Sequence, residues 1–397
     1  MKSVVITGLG VVSPLNPDGD INIFWDSLCK GKNAVRRVPP EIKGYPYKRA
    51  AWIERDFSNG EGKAVSIAEE TFAICIRDAC IDTASIDRNR TGISLGTVLG
   101  DIISGQEYLK LKVSDVRSGN AAGLLGSYSL SSIAAHLSRA FNLGGPCITV
   151  STACSSGNDA IGIGFRKILA GKADIMIAGG VDVLSDFAFS GFSALQAMTV
   201  DKVRPFDKNR TGLALGEGAA FIVLESERSA VKRKAKIYGT ISGYAASSDA
   251  THLTGPHRDG RGLSSAVNKA LKESGIRTSG IDYISSHGTG TIYNDRMETK
   301  AVKAAFGKDA YGIPMSSIKS MLGHSFGAAG VMEAISCLLA MKYGAVPPTI
   351  NYETKDPECD LDYVPNVSRK VSVKTVLSIS AGFGGQNSAI ILTKEAS

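Results

Sequence analysis

Short apolar, β-branched runs alternate along this chain with longer segments of helical periodicity, and that alternation restricts it to an α/β fold with buried sheets. Val4–Gly8, Gly92–Thr97, Cys147–Thr152, Asp174–Ala178 and Ala220–Leu224 read as strands, with helices expected over Lys63–Asp82, Leu130–Phe141 and Gly157–Ala170. Beyond the basic stretch Lys232–Lys236 a second series begins. Its strands are Lys236–Gly243, Tyr283–Ser286, Ile313–Ser316, Val376–Ser380 and Ser388–Leu392, and its helices are Leu263–Ser274, Met297–Phe306 and Ala328–Tyr343. The two series, residues 1–235 and 236–397, read as two copies of one plan, each with its own sheet. No low-complexity linker divides them, which favours tightly packed halves. The polar, glycine-containing stretch Gly100–Gly126 fits neither pattern and reads as a cap or a partner surface.

Composition narrows the class. The 397 residues can bury a sizeable core. The 44 glycines fall in clusters with no period of three, which excludes collagen. A net charge of +7, spread among acids, argues against nucleic acid and leaves room for a local patch that meets an acidic partner. The seven cysteines include no CxxC, and no histidine cluster has zinc spacing, so reduced thiols and no metal are expected. Met1-Lys2-Ser3 leads straight into an apolar strand without a signal pattern, and no run approaches the ~18 apolar residues of a membrane span. A cytoplasmic protein is expected.

Cys147–Gly157 ends a β-branched strand in small residues and starts a helix just after Cys154. A helix N-terminus with free N–H groups stabilises a thiolate, and Ala153, Ser155, Ser156 and Gly157 leave room for a substrate and a strained turn. Alone, such a cysteine more often only packs, as Cys147 and Cys337 are expected to. Two histidine motifs change that balance. Ser286-His287-Gly288-Thr289-Gly290-Thr291 follows the apolar run Asp282–Ile284, and Ser317-Ile318-Lys319-Ser320-Met321-Leu322-Gly323-His324 follows another strand. Ligands of α/β sheets bind beyond strand C-termini, so the three sites can converge. His136, His252 and His257 lack this setting. The loop Gly382-Phe383-Gly384-Gly385 lies between the last two strands without the helix a phosphate site needs next, and suits a flap or a close backbone approach.

With these motifs in this order, and over essentially its whole length from Val4-Val5-Ile6-Thr7-Gly8 to Gly382–Gly385, the chain resembles the thiolase-fold condensing enzymes. It is most similar to the elongating, synthase II-like β-ketoacyl-[acyl-carrier-protein] synthases. Initiating synthases carry a Cys-His-Asn set instead, and thiolases a second catalytic cysteine. The resemblance implies two duplicated α/β halves packed as a five-layered α-β-α-β-α core. It also implies an acyltransferase of the EC 2.3.1 class. Cys154 would take an acyl chain from a carrier's phosphopantetheine, and the backbone N–H groups of Cys154 and Phe383 would form the oxyanion hole. His287 and His324 would donate hydrogen bonds as malonyl-carrier loses CO₂. Lys319 and Glu298 would pair and hold the histidines. Thr289 and Thr291 would bond the pantetheine arm, Phe383 would gate Cys154, and Leu99 would limit the acyl pocket. Arg204, with Lys208 and Arg210, would dock the acidic acyl carrier protein. No metal or cofactor is implied beyond the carrier's phosphopantetheine.

Some positions depart from the fatty-acid pattern. Ala381 replaces a usual phenylalanine, which is expected to widen the site, and Ile292-Tyr293-Asn294-Asp295-Arg296 replaces a Pro-x-Gly-Asp run. Asn294–Thr299, Ser317–Met321 and Pro357–Pro365 look more like the ketosynthase subunit of type II polyketide synthases, which pairs with a chain-length factor. Two enzyme readings follow: a homodimer that elongates fatty acids, or the active half of a polyketide or polyene heterodimer. Retention of Cys154, His287, Lys319 and His324 disfavours a non-catalytic, chain-length-setting partner. The two-histidine set disfavours a simple thiolase or hydrolase.

Overall fold

A computed structural model describes residues 3–57, 62–114 and 121–394. Ten strands form one mixed sheet: β1 (Val4–Val12), β2 (Thr91–Gly96), β3 (Cys147–Val150), β4 (Ile175–Asp182), β5 (Gly218–Ser226), β6 (Gly239–Ser248), β7 (Tyr283–Ser285), β8 (Met315–Ser316), β9 (Thr375–Gly382) and β10 (Gln386–Thr393). Their spatial order is β8-β7-β9-β10-β6-β1-β5-β4-β2-β3. Numbered within its own half, each half runs 1-5-4-2-3. In both, the first and fifth strands and the fifth and fourth pair antiparallel, while the fourth, second and third pair parallel. This repeat is the duplication that the alternating pattern suggested. The expected separation into two sheets is corrected: β1 and β6 pair antiparallel at Val5↔Thr240 and Ile6↔Gly239, which joins the halves edge to edge.

Helices make the other layers. Lys63–Asp78 lies on β1 and β5, with Ser132–Ala140 beside it, and covers the outer face of the first half. Arg261–Ser274 covers β6 and β10 of the second half, with Ile292–Phe306 against it. Between the half-sheets lie Ser156–Leu169 and Ala329–Tyr343, which pack on each other and on strands of both halves. The result is the five-layered order, helices–sheet–helices–sheet–helices. Strands buried on both faces must be largely apolar, and every residue of β1 and β4 is buried, the polar Thr7 and Asp182 being hydrogen-bonded. A helix between two sheets must be apolar on most sides, and the one buried carboxylate on each of these two, Asp159 and Glu333, is held by a partner. The expectation that no run approaches a membrane span is corrected: Phe326–Tyr343 is long and apolar enough to cross one, but 89% of it is buried inside the fold, so its apolarity is that of a core helix. The two middle helices begin almost in contact: a Cβ on Gly157 would lie 2.4 Å from the Gly327 carbonyl oxygen.

Gly100–Gly126 is mainly helical where it is described, over Ile102–Val113 and from Ala121 into Tyr128; residues 115–120 lie outside the described residues. All seven cysteines are free thiols.

Candidate active site

β3 ends at Val150, and the chain turns through Thr152 and Ala153 before the helix Ser156–Leu169 begins. Ala153 takes φ +51°, a strained conformation for a residue with a Cβ. Thr152 Oγ1 and Ser155 Oγ hold the turn by donating to Asp159 Oδ2 at 2.5 and 2.9 Å, while Tyr244 of β6 donates to Oδ1 at 2.9 Å. Cys154 sits at the turn's apex and is 6% exposed. The helix N-terminus that favours a thiolate does not act alone here. Burial pushes the thiol up to about 11, and it outweighs the pull of the Lys319 charge and of the Phe383 and Cys154 N–H groups, while Asp182 adds to the rise. At neutral pH Cys154 is a thiol.

His287 follows β7 and His324 lies two residues beyond the short helix Lys319–Leu322, so strand C-termini of both halves meet at one point. The Cys154 sulfur and a ring nitrogen of each histidine lie within 4.8 Å of one another, and the two rings stand edge to face with centroids 5.3 Å apart. The neighbours fix both tautomers. An ammonium has hydrogens and no lone pair, so Lys319 Nζ, 3.2 Å from His287 Nδ1, can only donate to it. The Phe326 N–H donates to His324 Nδ1 at 3.1 Å. Burial and then the Lys319 charge hold both imidazoles well below their usual range, so both rings are neutral. A neutral ring whose Nδ1 accepts carries its proton on Nε2. Each histidine therefore offers an Nε2–H donor, and the buried His324 Nε2 has no partner of its own. These protons also argue against a metal: it would need the Nε2 lone pairs, which the Nδ1 partners deny it.

Lys319 pairs with Glu333 of the middle helix, not with Glu298 as expected, and both members are buried. Glu298 instead accepts the backbone N–H groups of His287 (2.6 Å) and Gly288 (2.8 Å), fixing the histidine's main chain. Burial raises Glu298 to about 8 and Glu333 to about 7, the latter despite Lys319. A Cβ on Gly382 would come within 2.9 Å of the Cys154 nitrogen, so glycine lets the Phe383 loop close over the nucleophile.

Residues 1–230 match the N-terminal domain of beta-ketoacyl synthases, and residues 238–353 match their C-terminal domain. The chain belongs to the beta-ketoacyl synthase family. The tetracenomycin polyketide synthase ketoacyl synthase alpha subunit of Streptomyces glaucescens is 38% identical, across 99% of this chain and 97% of that one. The 3-oxoacyl-[acyl-carrier-protein] synthase 2 of Synechocystis sp. is 36% identical, across 99% and 98%. Two solved structures match 100% of both chains: a type II polyketide ketosynthase with its acyl-carrier protein (AntDE:AntF; TM-score 0.93, 32% identity) and the ishigamide ketosynthase/chain length factor (TM-score 0.94, 33% identity).

Around this site the remaining residues divide. The Thr289 and Thr291 hydroxyls are 2.9 Å apart, on the loop after His287. The Phe383 ring stacks on Phe192, with centroids 5.5 Å apart, and Phe192 meets Phe326 edge to face. Leu99 is buried in the cluster that holds Phe326, Leu184 and Phe189. Ala381 belongs to the buried apolar cluster on the outer side of the second half, while the next residue, Gly382, faces Cys154, so the expected widening of the site is corrected. Arg210 is no docking residue, since its side chain is 1% exposed and binds Asp356 at 2.6 Å. Arg204 is engaged by Asp201 and by Glu353, the latter at 2.9 Å. Lys208 is exposed. Sequence reading missed Glu333, Phe326 and Asp182. Glu333 did leave a signal: one carboxylate inside Val331-Met332-Glu333-Ala334-Ile335 needs a buried partner.

Proposed function

We propose that this chain is a catalytic ketosynthase. It makes β-ketoacyl-[acyl-carrier protein] by decarboxylative Claisen condensation of an acyl group on Cys154 with malonyl-[acyl-carrier protein]. One observation carries this reading: a buried thiol within 4.8 Å of two histidines, both locked as Nε2–H donors. In the first step Cys154 sulfur attacks the carrier thioester. Its proton leaves with the departing pantetheine thiol, while the N–H groups of Cys154 and Phe383 hold the oxyanion. In the second, the malonyl C–C bond to CO₂ breaks and the two Nε2–H groups hold the charge on the thioester oxygen. The new carbanion attacks the acyl-Cys154 carbonyl, the C–S bond breaks, and Cys154 returns to a thiol with uptake of one proton. This chemistry uses no metal or further cofactor, and fixed dipoles in a buried site supply the stabilisation.

Likeness to polyketide alpha subunits and to a ketosynthase/chain length factor favours a type II polyketide or polyene role over fatty-acid elongation, with an acyl carrier protein and a chain-length-factor-like subunit as partners. The alternative, a chain-length-setting partner without catalysis, gives no use to a thiol flanked by two neutral donors. Purified chain, alone and with a co-expressed homologous neighbour, is incubated with acyl- and malonyl-carrier. The reading expects β-ketoacyl product only where Cys154 is intact, and the heterodimer expects it only with the neighbour present. Product from a Cys154→Ala chain would overturn the first, and full elongation by the chain alone the second.

A further inference from the structure

Asp182 ends β4 at 0% exposure, and none of the steps above uses it. Oδ1 accepts from Thr97 Oγ1 at 2.9 Å and from the Leu99 N–H at 2.8 Å. Oδ2 accepts from the Gly327 N–H at 2.7 Å and the Val98 N–H at 3.0 Å. Among the described residues no lysine or arginine pairs with it, so fixed dipoles alone hold this carboxylate. Burial raises it to about 6, and the four donors limit the rise.

Those donors come from two loops with different tasks. Thr97–Leu99 carries β2 into Leu99, and Gly327 follows Phe326, whose N–H sets the His324 tautomer. Neither loop has slack. A Cβ on Gly180 would lie 2.3 Å from the Gly327 carbonyl oxygen, and one on Gly327 would meet Asp182 Oδ2 at 2.8 Å and Thr97 Cα at 2.9 Å. We propose that Asp182 is a positioning residue that locks the Leu99 loop to the His324 loop, so that the acyl-pocket wall and the decarboxylating donor are set as one unit. This inference rests on the reading of His324 as a donor in condensation and of Leu99 as the residue that limits the acyl pocket.

Asp182→Asn keeps the shape but removes the charge and turns an amide NH₂ toward N–H donors. Acyl loading of Cys154 is expected to stay within about threefold of wild type, while CO₂ release from malonyl-carrier falls at least about tenfold and product lengths spread. A second readout needs no turnover. The two neutral histidines lie beside the Cys154 thiol; burial raises it most, the Lys319 charge pulls it down, and the Asp182 charge adds to the rise. The pH profile of iodoacetamide alkylation at Cys154, read by peptide mass, is therefore expected to move to lower pH in Asp182→Asn and not in Thr97→Val, which keeps the charge; an equal shift in both would report loosened packing, because burial is the larger cause of the raised thiol, and would overturn the inference. Should Asp182→Asn not fold, Thr97→Val removes one of the four donors and is expected to show the same split between loading and release to a smaller degree. Equal loss of both steps, or unchanged CO₂ release, would overturn the inference; so would an unmoved alkylation profile in folded Asp182→Asn. Failure of wild type itself to load or to release CO₂ would remove the condensation reading, and this inference with it.

Discussion

Lys319→Met removes the cation that serves both Glu333 and His287 while nearly keeping its volume. The pair is buried, with side chains 3% and 1% exposed. Deleting one member leaves an uncompensated charge that costs about 3–5 kcal/mol if it stays ionised, a large part of the ~5–15 kcal/mol that holds a protein folded. Glu333 has an escape, because it can take a proton. Its carboxyl is 4.5 unperturbed and about 7 in the fold, so it costs stability as pH rises between those values and no more above about 7. Without Lys319 the folded value moves further up, and the loss continues above 7 at about 1.4 kcal/mol per pH unit until the new value is passed. The gap between wild type and variant in urea melts should thus be small near pH ~6 and grow towards pH ~9. Chemistry suffers separately. With Nδ1 released, His287 can move its proton there and lose the Nε2–H donor, so CO₂ release is expected to fall about 10²–10³-fold at any pH where the variant is folded. Parallel stability curves together with normal CO₂ release would refute the reasoning.

Four shorter predictions follow. In wild type, Cys154 alkylation should climb steeply towards the thiol value of about 11; a rate that is already maximal at neutral pH would contradict the buried-thiol assignment. Phe383→Ala keeps the backbone N–H and loses only the stacking on Phe192, so acyl loading should stay within about tenfold of wild type in a stopped-flow transfer assay. Lys208→Glu should weaken carrier binding several-fold at low salt with kcat unchanged, more than Arg204→Ala does, because the Arg204 charge is already met by Asp201 and Glu353; surface plasmon resonance against the carrier checks the order. Glu298, raised from 4.5 to about 8, costs stability as pH rises through that window, so Glu298→Gln should melt with a shallower pH dependence between pH 5 and 8.

Periodicity made the strands and helices legible because each element's surroundings demand it: β1 and β4 are buried throughout, and Ala329–Tyr343 is apolar on nearly every side, Glu333 being its buried exception. The join between halves was not legible, since it rests on two paired positions, Val5 and Ile6 against Thr240 and Gly239. At the site, Cys154, His287 and His324 could be read because each stands in a small-residue turn beyond a strand. Partnerships could not. Lys319 and Glu298 both serve His287, one through the ring and the other through the main chain, and motif spacing does not distinguish these roles. Arg210 looked like a surface charge because Asp356, its buried partner, lies far along the chain. Asp182 left no pattern at all, because its partners are mostly backbone N–H groups, which every residue but proline carries.

The central claim, that Cys154 is the nucleophile that carries the acyl chain, is tested most directly by intact-protein mass spectrometry after incubation with an acyl-carrier substrate. Wild type should gain the mass of one acyl group, localised to the peptide bearing Cys154, and Cys154→Ala should gain none. An adduct that persists in Cys154→Ala, or its absence from folded wild type, would contradict the account.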